Sequence, residues 1–257
     1  MIAIAGLHKR FKSNHVLRGI DLEIKDGETI AIIGGSGTGK SILLKNIIGL
    51  VKPDSGDVCI DGDEITVMDD RALLGVQKKI GYLFQDAALF DSMTIEDNVG
   101  FGLRTVGKVK DEAMIHDRVN ECLAMVGLKG VNKQLPGELS GGMRKRAGLA
   151  RAIAYKPKYL LYDEPTTGLD PIMSDVINDL ILRMQEQIKV TSIVVTHDMK
   201  SAYKVANRIA MLYQGKIIEI GSPDEIKNSK NPVVHQFVEG LSQGPITLDL
   251  AYTARRI

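Results

Sequence analysis

Short apolar runs recur along the chain with two different spacings, and the spacing assigns the elements. Thr29-Ile30-Ala31-Ile32-Ile33, Ile80-Gly81-Tyr82-Leu83-Phe84, Tyr159-Leu160-Leu161-Tyr162 and Ser192-Ile193-Val194-Val195-Thr196 are nearly continuous and predict buried core strands. Met1 to Leu7 can form a strand, and Ile20, Leu22 and Ile24 alternate with polar residues as in a half-buried one. Asp57 to Ile60 with the turn Asp61-Gly62 predicts a hairpin, as do Ile209 to Leu212 and Ile217 to Ile220 around Gln214-Gly215.

Helices show in the 3.6-residue spacing and in their caps. Ile42 to Ile48 is helical, with Gly49 near its stop, and Asp69-Asp70 can start a short helix. From Asp86 to about Tyr155 the punctuation is helical. Thr94 can cap a helix beginning at Ile95. Within Asp111 to Val126, Ile115, Val119, Cys122 and Val126 share one face, and Gly127 can end the helix. Ser140 is placed to cap a helix that carries Arg144, Lys145, Arg146 and Arg151 and stops before Pro157. That basic cluster reads equally as a solvated face or as a working one. Asp170 caps a further helix with Pro171 at its first position, and its stripe of Ile172, Val176, Leu180, Met184 and Ile188 reads as core packing throughout. Ser222-Pro223-Asp224-Glu225 is a capping box, and Asn231-Pro232 starts a short helix ending near Gly240.

The chemistry concentrates at Gly34-Gly35-Ser36-Gly37-Thr38-Gly39-Lys40-Ser41, which fits G-x-x-x-x-G-K-[ST] between a strand and a helix. In that setting, glycine backbone N–H groups and the helix N-terminus cradle phosphates. Lys40 can reach the β- and γ-phosphates, and Ser41 can hold Mg²⁺. Downstream, an apolar strand ends in Asp163-Glu164. Asp163 is then the second metal-side residue, and Glu164 can polarise the attacking water as general base. His197, after the strand ending at Thr196, is either structural or a contact to the γ-phosphate. Phe11 is either an edge-strand aromatic or a platform for adenine, and Gln85 alone is a loop residue after a strand.

Composition narrows the setting. Of 257 residues, 44% are hydrophobic and 25% charged, which suits one α/β domain with a small insertion. A formal net charge of +1 gives no footprint for nucleic acid. Cys59 and Cys122 are too few for a disulfide framework. No apolar run approaches the ~18–20 residues of a membrane span, and the first residues lack a signal-peptide pattern. The expectation is a cytosolic protein, or one held to a membrane by a partner.

The phosphate loop, Gln85, Leu139-Ser140-Gly141-Gly142, Asp163-Glu164, Asp170 and His197 occur in the order and spacing of the ABC-transporter ATPase family, which this chain resembles from about Phe11 to Ile220. The resemblance implies an α/β P-loop nucleotide-binding fold with an antiparallel β subdomain and a helical subdomain. Residues 1–85 and 156–240 would form the ATP-binding core and the β subdomain, 86–155 the helical subdomain with the signature, and 241–257 a C-terminal arm. It implies ATP and Mg²⁺ as ligands. Phe11 would stack on adenine, and Gln85 would touch the metal and relay to a membrane partner. Ser140, Gly141 and Gly142 would close on the ATP of a second copy, and Asp170 would couple the two sites. Met143 departs from the Gln of many members. With the run Phe84 to Thr94 and with Gly244-Pro245-Ile246, it resembles the Mla/Mce branch, which serves phospholipid transport between bacterial membranes. That branch implies a peripheral subunit at the cytoplasmic face of the inner membrane, bound to a permease, with Mce-domain and small regulatory partners. Its arm, including the alternating Ile246-Thr247-Leu248-Asp249-Leu250, would reach the neighbouring ATPase or else fray. A polar-solute importer subunit and a non-transport ATPase of the same family are the competing expectations.

Overall fold

A computed structural model describes residues 1–247. Its strands are β1 (Ile2–Phe11), β2 (Asn14–Ile24), β3 (Thr29–Ile33), β4 (Ser55–Ile60), β5 (Asp63–Glu64), β6 (Ile80–Leu83), β7 (Tyr159–Asp163), β8 (Thr191–Thr196), β9 (Arg208–Tyr213) and β10 (Lys216–Gly221). Its helices are α1 (Lys40–Ile47), α2 (Asp70–Gln77), α3 (Ile95–Thr105), α4 (Glu112–Met125), α5 (Gly141–Ile153), α6 (Pro171–Ile188), α7 (Met199–Val205), α8 (Pro223–Lys227) and α9 (Pro232–Glu239).

Two sheets form. One is antiparallel, in the order β2-β1-β4-β5. The other has the order β10-β9-β3-β8-β7-β6, parallel except for β10. The strand period of two divides its side chains between its faces. Ile30, Ile32, Leu161, Ile193 and Val195 join α1 and the antiparallel sheet in one core. On the opposite face, Leu160, Tyr162 and Val194 pack with α3 to α6, and Ala31, Ile33, Ile209 and Met211 pack with α7 to α9. With helices or a second sheet on both faces, β3, β7 and β8 are buried along their whole length, hence their unbroken apolar runs.

The caps expected from sequence form, and Asp111 adds one more. Side chains of Asp69, Thr94, Asp111, Ser140, Asp170, Ser222 and Asn231 each accept from a first-turn N–H. Two expectations change, and the basic cluster of α5, open in the sequence, finds structural partners. The strand at Ile80 is not central: β6 pairs only with β7 at the sheet edge, and Ile80 and Tyr82 are half-buried. The stripe on α6 is not all core. Ile172 is 78% exposed and Val176 36%, while Ile177, Leu180, Ile181 and Met184 are buried with Leu160, Tyr162 and Val194 in one core. The basic residues of α5 bond to neighbouring backbone, although Arg144 stays exposed. Arg144 donates to Leu139 O (2.7 Å), Lys145 to Thr167 O (2.7 Å), Arg146 to Gly127 O (3.0 Å) and Arg151 to Ala88 O (2.6 Å). All four spend their charge on backbone carbonyls that their neighbours leave unpaired. Of the alternating segment, Leu248 to Leu250 lie outside the described residues.

Candidate active site

The register of the parallel strands assembles the site. Ile33 pairs with Thr196, and Asp163 with Val195. Gly34, Glu164 and His197 each follow the last residue of their strand, so they emerge side by side at the carboxyl ends, where a parallel sheet opens a crevice.

The glycine loop leads from β3 into α1. Gly39, at φ 104°, is the cap residue of α1 and offers no side-chain bond to the first turn. A Cβ there would lie 2.8 Å from Val16 Cγ1, so only glycine lets β2 pack against the loop. The first-turn N–H groups are thereby left for an anion. The Lys40 ammonium is buried, donating to Gly34 O (2.8 Å) and Gly35 O (3.0 Å). Phe11, Val16, Gly37, Gly39, Lys40 and Ser41 line one open cavity of about 230 Å³. The Phe11 ring is 44% exposed, with Lys9 Nζ 5.4 Å from its centroid.

Glu164 is a buried carboxylate on a left-handed residue, φ 51°. One oxygen lies 2.8 Å from His197 Nδ1 and 3.2 Å from the Thr167 hydroxyl that donates to it. The other lies 3.4 Å from Lys40 Nζ. A hydroxyl, a cation and an imidazole therefore converge on one carboxylate beside the phosphate loop. Asp163 Oδ1 accepts from the Ser41 hydroxyl at 2.7 Å, and Oδ2 accepts from the Tyr82 hydroxyl at 3.0 Å. Two hard oxygens this close suit Mg²⁺, which takes one or two protein ligands and completes its shell with water and phosphate. No cluster of three or more His, Cys, Asp or Glu able to hold a metal occurs among the described residues.

The other sequence-predicted residues lie elsewhere. Gln85 is exposed and has no hydrogen bond to Ser41 or Asp163 among the described contacts; it shares a cavity of about 200 Å³ with Gly141, Lys145, Thr167 and Gly168. Ser140 is exposed and caps α5 by accepting from Met143 N (3.3 Å). Gly142 is buried so closely against α6 that a Cβ would lie 2.6 Å from Met173 Cε. Asp170 accepts from Ile172 N and Met173 N, both at 3.0 Å. The signature and the phosphate loop thus line two separate cavities of one chain. Sequence reading passed over Tyr82 and Thr167 and assigned no role to Lys145. Tyr82 carried no signal beyond a polar end inside an apolar strand.

Comparison with known proteins fits this geometry. The ABC transporter family profile matches residues 17–167. The chain is 43% identical over 245 residues to the probable ribonucleotide transport ATP-binding protein mkl of Mycobacterium tuberculosis, covering 95% of this chain and 68% of that protein. It is 42% identical over 263 residues to the chloroplastic protein trigalactosyldiacylglycerol 3 of Arabidopsis thaliana, covering 96% and 75%. Its structure resembles the dimeric post-hydrolysis state of the ATP-binding cassette MJ0796 bound to ADP and Pi, with TM-score 0.80 and 33% identity over 87% of this chain and 99% of that one. A family match across more than half of the sequence, on a fold whose strand ends carry a phosphate loop and a Lys-paired glutamate, makes this chain a member of the ABC transporter family, an ATPase that serves as its ATP-binding subunit.

Proposed function

We propose that this ATPase works as a two-fold dimer that drives a separate membrane permease, and that the cargo is phospholipid moved between the bacterial inner and outer membranes. The observation that carries the chemistry is the convergence of Lys40, Thr167 and His197 on the Glu164 carboxylate. Glu164 takes the proton of the attacking water, and His197 orients that carboxylate and faces the γ-phosphate. Lys40 and the N–H groups of loop 34–41 hold the phosphates, and Phe11 stacks on the adenine. Ser41 and Asp163 hold Mg²⁺, which when bound neutralises charge on the phosphate oxygens. Ser140, Gly141 and Gly142 meet the γ-phosphate of the other subunit, and Asp170 lies at the same interface. The dimeric state of MJ0796 with ADP and Pi supports this arrangement.

Several observations support the lipid reading. Met143 and the Phe84 to Thr94 stretch resemble the Mla/Mce branch, and the plant relative bears the name of a glycolipid. The name of the mycobacterial relative favours a second reading, a polar-solute transporter. Among the described residues no helix is long and apolar enough to cross a membrane.

Glu164→Gln should lower turnover by roughly 10²–10⁴ while nucleotide binding persists, because only the base is lost. Lys40→Ala should weaken nucleotide binding itself. Near-normal turnover in Glu164→Gln would overturn the general-base role. For cargo, the complex purified through this subunit should carry phospholipid in a defined ratio to protein. ATPase stimulation by a nucleotide or another polar solute, with no lipid bound, would favour the second reading.

A further inference from the structure

We propose that the Tyr82 hydroxyl positions the metal-side carboxylate: it holds Asp163 Oδ2 so that Oδ1 stays aimed at Ser41. The inference rests on the Mg²⁺-dependent ATPase reading above and adds a residue to it. Asp163 is buried, so its two oxygens depend on protein donors. Its described donors are two, Ser41 at 2.7 Å on Oδ1 and Tyr82 at 3.0 Å on Oδ2. A single donor leaves a carboxylate free to rotate about its Cβ–Cγ bond; donors on both oxygens fix the plane.

Tyr82 reaches this place from an edge strand. Its backbone on β6 pairs with Leu161 on β7, two residues before Asp163, and its ring leans on Phe84 with centroids 4.3 Å apart. The ring is thus braced on one side while its hydroxyl crosses to the end of the neighbouring strand. A phenol ordinarily titrates near pH 10, so the hydroxyl is an O–H donor at neutral pH. If Ser41 turns its oxygen towards a cation, Tyr82 becomes the donor that keeps the carboxylate in register. Groups of this kind behind a metal site characteristically change metal affinity when removed.

The test is a Mg²⁺ titration of fluorescent ATP binding to the purified chain, with Tyr82→Phe as the variant because it removes one oxygen and keeps the ring. The Mg²⁺ concentration giving half of the binding change should rise about 10- to 100-fold. Affinity for the nucleotide in EDTA and the melting temperature should stay near those of the unmodified protein. In an Asp163→Asn background, Tyr82→Phe should have no further effect on the Mg²⁺ midpoint, since Tyr82 acts through that carboxylate. An unchanged midpoint in the single variant overturns the proposal, as does an equal shift in the Asp163→Asn background. An unmodified protein whose nucleotide binding ignores Mg²⁺ would overturn the metal reading itself, and this inference with it.

Discussion

Lys145 shows how one side chain can join two functional segments. It lies on the first turns of α5, 7% exposed, and donates to Thr167 O (2.7 Å) and Glu164 O (3.2 Å). Burial draws its pKa down, while Asp86 and Glu164 nearby oppose that. Glu164 needs such support. A left-handed non-glycine residue costs on the order of 1 kcal/mol or more and persists only where its surroundings hold it. Glu164 N also donates to Val195 O at 2.9 Å, so its peptide is gripped from β8 and from α5. Lys145→Met fills the space but leaves two carbonyls without this donor, a loss of about 1–3 kcal/mol. The displaced carboxylate should lower kcat about 10- to 100-fold with little change in nucleotide affinity. Lys145→Arg, which keeps a cationic donor, should recover most of the rate. Steady-state kinetics beside equilibrium nucleotide binding separates the two effects; an unchanged kcat in Lys145→Met would show that Glu164 needs no help from α5.

At the scale of elements, the stretch after α9 shows how a short segment is tied down without a strand partner. The Gln236 side chain, 5% exposed, accepts from Ile246 N (2.6 Å) and donates to Ile246 O (3.1 Å). One amide thus makes both bonds that a neighbouring strand would make. Gly244 permits this approach, since a Cβ there would lie 2.4 Å from the Gln236 amide. Ile246 then packs on the cluster that includes Val234 and Phe237. The arm expected from sequence is therefore anchored on its own chain as far as Ile246. Two truncations divide the effects. Ending the chain after Thr247 should leave the melting temperature nearly unchanged and loosen any assembly that depends on residues 248–257. Ending it after Gly240 also uncovers the Ile246 seat and should lower stability by about 1–2 kcal/mol. Thermal melts and gel filtration of the purified complex read these outcomes separately. Equal melting and equal assembly for both truncations and the full chain would make the segment passive.

For the whole molecule, the separation of the two cavities decides what one chain can do. Phe11 and the phosphate loop line one; Gln85, Gly141 and Thr167 line the other. A two-fold dimer can bring the second cavity of each chain to the first cavity of its partner, and it makes two such sites at one isologous interface. Lys40→Ala and Ser140→Arg chains should each be inactive alone. Mixed at random, half of the dimers hold one intact pair of Lys40 and Ser140, so about a quarter of the unmodified rate should return if the sites act independently. The ATPase rate of the dilute unmodified protein should also rise faster than linearly with its concentration. A linear dependence would refute the shared site. The grip of α5 on both sides of the site matters here. Arg151 donates to Ala87 O and Ala88 O, two successive left-handed residues just after Gln85, while Lys145 holds the turn at Glu164. Helix α5 therefore bonds both the segment after Gln85 and the backbone of Glu164.

Information carried within a few residues was readable in advance. The phosphate loop, the Asp163-Glu164 strand end, the caps at Thr94, Ser140 and Asp170, and the buried strands all depend on local spacing and local backbone chemistry. Helix α7 and the extension of β1 to Phe11 were missed because their patterns are too short or too polar to register. What sequence could not supply is set by strand order. Ser41 meets Asp163 across 122 positions, and Tyr82 meets it across 81, because β3, β8, β7 and β6 lie in that order and end in register. The same holds for the basic face of α5. In one dimension its charges read equally as solvated or working, and only folding brings the carbonyls of Gly127, Thr167 and Ala88 within their reach. Ile172 and Val176 are the converse case: they continue an apolar stripe along α6, yet both lie outside the core that takes in Leu180 and Met184. A stripe records which residues could be buried, and the placement of the opposing layer decides which are.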